Sequence, residues 1–412
     1  MENLRFAVII PVFNKWELTR DCLKSLRRFT PGDEFEVIAV DNASSDATLV
    51  DLDPLGSALF GLRFKSIRNH TNRNFAAACN TGAKLAQAPF CFFLNNDTLL
   101  TENWAPPLEE SLQNNPSLGA VGPLLLYADK TVQHLGVAFL TAGVAHLYRG
   151  FPLAHPLVSK TRCFQAITAA AFFVSRELFF AAGAFYEEYR NGFEDVELGL
   201  RICQLDKKLT CVPKSQVIHL ESQSEGRNND PSEFNEKLFQ QRCAELFYPD
   251  YHLHGLSDGF RVVYDDSLNQ SLLLPEKDDL ALREQVTVSG SLNLSRLLQA
   301  TQKNPYWFWG HEHMARELEK QKLFQEASAY YLQAFSIYCT LEGAKKLLKI
   351  AALTADTKLA KEADTYLAQI ITLKNDQELC ASILKRNIAT AEKFNDKFLL
   401  RLSEQKLAEL YK

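Results

Sequence analysis

Between residues 5 and 125, short β-rich runs alternate with stretches of helical periodicity, and this order constrains the fold more than any other feature. The predicted strands lie at 5–11, 36–40, 63–67 and 89–94. The helical or turn regions between them lie at 15–29, 47–62 and 75–86. Such a βαβαβ order predicts a mostly parallel sheet between two layers of helices, an α/β fold. The carboxyl ends of the strands then meet in one crevice, where such sheets bind ligands.

Acidic and amide side chains follow the predicted strands. Residues 41–46 come after the second strand, and residues 95–97 come after the fourth. Further along, the acidic run 193–197 precedes a helical pattern, and His219 ends an apolar run at 210–218. One crevice lined by these groups can hold a metal ion, a phosphate-bearing ligand and a general base together. The pattern therefore predicts an enzyme.

Composition excludes several other classes of protein. The 412 residues are enough for two domains, and 46% hydrophobic and 23% charged residues are typical of a soluble globular protein. A net charge of −5 does not indicate the basic surface that is typical of nucleic-acid-binding proteins. The sequence lacks a signal-peptide pattern and an apolar run long enough to span a bilayer. We expect a cytoplasmic protein with no transmembrane segment, with peripheral membrane contact and homo-oligomerisation left open.

The character of the chain changes after residue 265. The expected organisation is a catalytic domain at 1–265, a linker or extension at 266–305 and a helical domain at 306–412. Six residues in the helical part have the offsets of a tetratricopeptide helix pair: Met314, Ala315, Leu318, Ala327, Tyr331 and Ala334. The echo of this pattern at 351–370 is weaker, so a plain helical bundle is an equal alternative.

Five segments in this order resemble family 2 glycosyltransferases, and most closely the rhamnosyltransferase-like branch with the GT-A fold. The segments are 8–14, 40–48, 72–82, 94–98 and 193–201. The resemblance covers about residues 5–250 and implies a GT-A domain followed by an all-α domain. The family usually has glycines where Asn74, Ala77 and Ala78 stand, which is a departure in the segment expected near the diphosphate.

The resemblance implies roles for individual residues. It implies that Asp97 and His219 bind Mn²⁺ or Mg²⁺, and that Asp195 is the general base. Glu194 and Glu197 would contact the acceptor. The implied donor-binding residues are Pro11, Val12, Phe13, Asn14, Asp41, Asn72, Arg73, Asn80, Asn96 and Asp97. For Arg73, an ordinary surface arginine is an alternative, and the polar segment 221–227 is a candidate lid.

The functional hypothesis is an inverting, metal-dependent hexosyltransferase. It would move a sugar from a UDP- or dTDP-linked donor to a hydroxyl group of a glycan or protein acceptor. The first alternative is a catalytically degenerate GT-A domain that acts as a scaffold through its helical domain. A nucleotidyltransferase is a weaker alternative, because it gives no role to the adjacent pair Glu194 and Asp195.

Overall fold

The computed structural model describes residues 4–141, 143–220 and 232–411. The candidate lid at 221–227 lies outside the described residues. The chain divides into two compact units. The first unit comprises Met1–Ala138 and Val144–Phe247, and the second comprises Phe139–Gly143 and Tyr248–Lys412.

The first unit alternates strands and helices as the sequence predicts, with additional short strands in its second half. In chain order its elements are β1 (Phe6–Val12), α1 (Trp16–Phe29), β2 (Phe35–Asp41), α2 (Thr48–Phe60), β3 (Phe64–Arg68), α3 (Asn74–Leu85), β4 (Phe90–Leu94), β5 (Thr98–Leu100), α4 (Pro106–Asn114), β6 (Leu118–Leu126), β7 (Val132–His134), β8 (Val137–Leu140), β9 (Gly143–His146), β10 (Ala171–Ser175), α5 (Arg176–Ala181), α6 (Glu194–Cys203), β11 (Lys208–His219) and α7 (Ser232–Cys243). The hairpin strands β8 and β9 run across the boundary between the two units.

A nine-stranded sheet organises this unit, in the order β3-β2-β1-β4-β10-β6-β11-β5, with β7 paired to β6. The strands β3, β2, β1 and β4 are parallel, whereas β10 is antiparallel to both of its neighbours, so the sheet is mixed. Ala171 at the start of β10 lies opposite Leu94 at the end of β4. The segment that enters β10 therefore reaches the same edge of the sheet as residues 95–97.

Buried apolar side chains of the strands form the core around the sheet. All seven residues of β2 are buried, as expected for a strand covered on both faces. Aromatic rings dominate the core: the rings of Phe6 and Trp104 meet edge to face with centroids 5.8 Å apart, and Phe92 packs on Trp104 at 4.6 Å. This rigid core fixes the strand ends that carry the polar residues.

The second unit is mainly helical. Its elements are α8 (Tyr251–Ser257), β12 (Arg261–Tyr264), β13 (Gln270–Leu273), α9 (Glu276–Val286), β14 (Thr287–Val288), β15 (Ser291–Leu292), α10 (Leu294–Lys303), α11 (Phe308–Lys320), α12 (Phe324–Ile337), α13 (Leu341–Thr354), α14 (Thr357–Asn375), α15 (Gln377–Lys393) and α16 (Lys397–Glu409). An α/β region followed by an all-helical region, which here begins with α10, is thus confirmed. The segment predicted as a linker, 266–305, contains two of these helices.

Helices of the second unit pack in successive pairs, α11 with α12, α13 with α14 and α15 with α16. Ala315, Ala327 and Tyr331, three of the residues with tetratricopeptide offsets, are buried in one core cluster with residues of α13 and α14. Whether these pairs are true tetratricopeptide repeats stays a prediction. Within the described residues, no helix combines the length and the apolar character that a membrane span needs.

Candidate active site

A cavity of about 1130 Å³ opens at the carboxyl ends of the strands of the first unit. It collects many of the residues that the sequence predicts for the site. On the predicted donor side it is lined by Pro11, Val12, Phe13, Asn72, Asn96 and Asp97, and elsewhere by Glu194, Asp195 and His219. Residues from five separate parts of the sequence therefore share one space.

Asp97 and His219, predicted as metal ligands, lie side by side in this cavity. Asp97 follows β4 and His219 ends β11, and each is 9% exposed. Asp97 Oδ1 lies 3.1 Å from His219 Nε2. Among the described residues, Asp97 Oδ1 is a buried oxygen without a hydrogen-bond partner. A buried carboxylate oxygen without a donor is unfavourable unless a cation occupies the space in front of it.

The hydrogen bonds of Gln133 determine which nitrogen of His219 faces Asp97. The Gln133 amide donates from Nε2 to the carbonyl oxygen of His219 at 3.0 Å, so its Oε1 is the atom 2.7 Å from His219 Nδ1. Nδ1 must therefore carry the imidazole proton and donate it to Oε1. In the neutral ring, Nε2 then presents a lone pair on the side of Asp97, with Asn95 Nδ2 at 3.3 Å. This arrangement, a nitrogen and a carboxylate oxygen oriented by a second side chain, suits a divalent metal ion.

Two ligands do not complete a coordination shell. Among the described residues, no group of three His, Cys, Asp or Glu side chains is arranged to hold a metal ion. Mg²⁺ typically binds to one or two protein carboxylates, with substrate phosphates and water filling the remaining positions. The pair therefore fits an ion that binds together with a phosphate-bearing ligand.

Asp195 stands at the beginning of α6, on another wall of the same cavity. Its Oδ2 accepts a hydrogen bond from the backbone N–H of Ala169 at 2.9 Å, and its Oδ1 accepts one from the N–H of Val196 at 2.8 Å. A helix amino terminus favours a negative charge. Two backbone donors hold the carboxylate in one orientation, and its remaining lone pairs can accept a proton.

The neighbouring carboxyl group of Glu194 is in a different electrostatic environment. It is 6% exposed and accepts a hydrogen bond from the N–H of Gly192 at 2.6 Å. Burial and the adjacent charge of Asp195 raise the pKa of Glu194 to about 8. Near neutral pH, Glu194 is thus mostly protonated and can donate a hydrogen bond.

Asp41, one of the predicted donor-binding residues, is buried at the end of β2 but does not belong to the cavity wall. Its Oδ1 accepts the N–H of Ser44 at 2.8 Å, and its Oδ2 pairs with the guanidinium of Arg68. Asn42, the next residue, does line the cavity, and its side chain bonds to the carbonyl of Asn74 at 3.0 Å. A base bound here would reach Asp41 only beside Arg68.

Four other predicted residues lie outside the cavity wall, with their polar atoms engaged elsewhere. The side-chain oxygen Oδ1 of Asn14 accepts the N–H of Ser45 at 2.7 Å. Asn80 bonds to the backbone carbonyl of Phe185 at 2.8 Å, and Arg73 pairs with Glu187 at 3.0 Å. For Arg73 this geometry matches the surface-arginine alternative.

Glu197 is the fourth of these residues, and its environment is that of a structural carboxylate. It accepts hydrogen bonds from Tyr189 Oη at 2.8 Å and from Arg242 at 2.7 and 2.9 Å. It also forms an ion pair with Arg201 at 3.2 Å. Although burial opposes ionisation, the bonds from Arg242 and Tyr189 hold the pKa of Glu197 below its ordinary value. These contacts join α6 to α7 and leave Glu197 turned away from an acceptor in the cavity.

Several cavity residues have no motif in the sequence that would have identified them. They include Gln133, His134, His146 and the segment 168–170. The sequence signal is weak because their partners are distant along the chain: Gln133, for example, orients a histidine that lies 86 residues away. Only the tertiary structure brings these residues to the site.

Comparison with known proteins places one part of the chain in a family. Residues 7–149 match the family model described as glycosyl transferase family 2. This part of the chain is a family 2 glycosyltransferase domain. Membership agrees with the α/β architecture of the first unit and confirms the family 2 resemblance found in its sequence motifs.

Individual relatives match about half of the chain. It is 32% identical over 228 residues to the O-antigen biosynthesis protein RfbC of Myxococcus xanthus, which covers 53% of this chain and 18% of that protein. It is 27% identical over 238 residues to the uncharacterized protein y4gI of Sinorhizobium fredii, with coverages of 55% and 25%. The chain thus spans a quarter or less of the length of these two relatives.

Among solved structures, the crystal structure of GalNAc-T7 with UDP, GalNAc and Mn²⁺ is similar at 20% identity and a TM-score of 0.48. The match covers 58% of this chain and 48% of that one.

Proposed function

We propose that this family 2 glycosyltransferase is an inverting, metal-dependent hexosyltransferase that uses a nucleotide-diphosphate sugar. The observation that carries the proposal is Asp97 Oδ1, which has no hydrogen-bond partner among the described residues and faces Nε2 of His219 in a cavity that also contains Asp195. We propose UDP or dTDP as the nucleotide, since the family resemblance implies a pyrimidine contact at Asp41. The base would have to reach this carboxylate, which lies outside the cavity wall, beside Arg68.

Asp97 and His219 would hold Mn²⁺ or Mg²⁺, and the ion would supply positive charge to the diphosphate as it leaves. Asn72 and Asn96 would position the donor by hydrogen bonds from the same wall. Activation and binding of the acceptor would depend on Asp195 and Glu194, on another wall of the cavity.

Asp195 would act as the general base. Its carboxylate would accept the proton from the acceptor hydroxyl as that oxygen attacks the anomeric carbon from the face opposite the nucleotide. The two backbone N–H groups on Asp195 would keep the carboxylate aimed during this transfer. Glu194, protonated near neutral pH, would donate a hydrogen bond to the acceptor. The acceptor would be a glycan or a protein hydroxyl group.

The scaffold alternative gains no support from the site. A domain without turnover has no physical need for a buried carboxylate oxygen that lacks a donor. Such an atom costs free energy in the absence of a ligand.

The test is the rate of nucleotide release from UDP- and dTDP-sugars with Mn²⁺, with water as the acceptor. Asp195→Asn should lower kcat by roughly 100-fold or more, because a positioned general base contributes about that factor. Mn²⁺-dependent nucleotide binding should persist in this variant. Asp206→Asn is the matched control, since Asp206 is exposed and has a positive φ that asparagine tolerates. An Asp195→Asn enzyme with the rate of the control would contradict the assignment.

A further inference from the structure

Two histidines lie in contact on the cavity wall, outside every motif of the proposed mechanism. His134 ends β7 and is 2% exposed, whereas His146 ends β9 and is exposed. Their Nδ1 atoms are 2.7 Å apart, and the ring planes are nearly perpendicular at 75°. This geometry is that of a direct hydrogen bond between two imidazole rings.

The other nitrogen of His134 determines where the proton of this bond lies. The backbone N–H of Thr168 points to His134 Nε2 at 3.1 Å. Since a backbone N–H can only donate, Nε2 must be the acceptor, and the proton of neutral His134 must be on Nδ1. His134 therefore donates from Nδ1 to Nδ1 of His146. Burial, with the nearby rings of His146 and His219, holds the pKa of His134 well below its ordinary value and favours this neutral form.

Thr168 begins a three-residue segment whose backbone contacts both Asp195 and the turn that carries Asp97. The N–H of the next residue, Ala169, donates to Oδ2 of Asp195 at 2.9 Å. The carbonyl oxygen of Ala170 accepts the N–H of Asn95, two residues before Asp97, at 2.9 Å. The segment 168–170 thus links the histidine pair, the proposed base and the proposed metal-binding turn through consecutive backbone groups.

We propose that His134 and His146 are positioning residues for Asp195: His146 orients His134, and His134 anchors Thr168 so that the Ala169 N–H keeps the Asp195 carboxylate aimed at the acceptor hydroxyl. This inference rests on the proposed role of Asp195. Neither histidine needs to touch a reacting atom. A misplacement of about 1 Å in a catalytic group can cost roughly 100-fold in rate, so the anchor has a measurable effect.

A pair of substitutions at His134 tests the anchor. In His134→Gln, the side-chain amide oxygen can take the place of Nε2 and accept the Thr168 N–H, whereas His134→Leu is of similar size and has no acceptor. In the assay with water as acceptor, His134→Leu should lower kcat about 30-fold or more and leave the KM of the nucleotide sugar within about threefold. His134→Gln should recover most of this loss. Equal kcat values in the two variants would overturn the proposal.

His146 offers a second test at an exposed position, where substitution is compatible with folding. In His146→Asn, the amide oxygen can still accept from His134 Nδ1, whereas His146→Phe keeps a ring without an acceptor. We expect His146→Phe to lower kcat by about 10-fold, with His146→Asn close to the wild type. A rise in KM with unchanged kcat in the phenylalanine variant would place the pair on the donor and overturn the inference.

Asp195→Asn, measured in the same assay, distinguishes a failure of the positioning inference from a failure of the proposed base. If Asp195→Asn is inactive and both non-accepting histidine variants are fully active, the positioning inference fails and the proposed base stands. If Asp195→Asn is fully active, the base itself fails, and with it the inference.

Discussion

Two adjacent carboxyl groups at the start of α6 have opposite electrostatic environments. Asp195 receives two backbone N–H donors, while Glu194 is buried beside the charge of Asp195. The sequence Glu194-Asp195 shows two acids but does not show which one stays ionised. That difference arises from burial and from the donors supplied by distant backbone segments.

Glu194 should make the stability of the protein decrease with increasing pH. Its pKa is about 8 in the folded chain against an ordinary 4.5, so the unfolded chain releases this proton at lower pH. The contribution of protonated Glu194 to the free energy of unfolding is therefore fully present below pH 4.5 and is lost as pH rises towards 8. Glu194→Gln removes this titration and should stabilise the fold at pH 7 by on the order of 3 kcal/mol.

Urea unfolding of Glu194→Gln and the wild type across this pH range measures the effect. The gain should grow between pH 5 and 8. A gain that is independent of pH would show that the Glu194 carboxyl group is not protonated in the fold.

Glu197→Gln should destabilise the protein strongly, in contrast to Glu194→Gln. It leaves Arg201 and Arg242 near a neutral group, and breaking a buried ion pair costs about 3 kcal/mol or more. The measurement is the urea midpoint, with the exposed Glu110→Gln as the matched control. If Glu197→Gln unfolds like the control and instead raises the KM for an acceptor, Glu197 binds the acceptor as the family resemblance implies.

At the scale of elements, the sequence predicts the strands and helices that have a clear hydrophobic pattern of their own. The apolar runs gave β1, β2, β3 and β4 to within one or two residues, and the amphipathic pattern gave α1 and α3 equally well. The short strands β5, β7, β8 and β9 were not predicted, because strands of three or four residues carry little periodicity. The histidine pair lies on two of these short strands, which explains why sequence analysis did not find it.

A histidine in α11 of the second unit, His311, is buried and lies beside Tyr330 of α12, with ring centroids 5.8 Å apart. His311 lies in the first turn of α11, and its Nε2 donates to the carbonyl oxygen of Pro305 at 3.0 Å. Among the described residues, its Nδ1 is a buried atom without a partner. Burial lowers the pKa of His311 to about 4. Protonation would place a charge there with no acceptor to receive it.

His311 should therefore make the helical region less stable in acid. The unfolded histidine takes up a proton below its ordinary value of 6.5, and the folded one only near 4. Stability should fall by about 3 kcal/mol as pH decreases from 6.5 to 4. His311→Gln should remove this part of the acid sensitivity, measured by helical circular dichroism in urea. The exposed His70→Gln is the control, and the same slope in both variants would refute the assignment.

For the whole molecule, the sequence predicts the classes of the two regions, and the domain bounds at 265 and 305 stay a prediction. The chain passes into the second unit at Tyr248, whereas the composition changes only near residue 265. Residues 248–265 thus belong to the second unit although they precede this change. Tyr264, for example, bonds to Ser403 at 2.8 Å and accepts from Asn387 at 3.0 Å.

The central claim is a donor site in which a metal ion and a nucleotide bind together at Asp97. The most direct test is calorimetry of the full chain with UDP, dTDP, GDP and CMP, each with and without Mn²⁺. We predict that UDP or dTDP binds only with Mn²⁺. We also predict that Asp97→Ala weakens this binding by at least about 100-fold, while the exposed Asp364→Ala does not change it. Nucleotide binding that is equal in the two variants, or that is absent under every condition, would contradict the account.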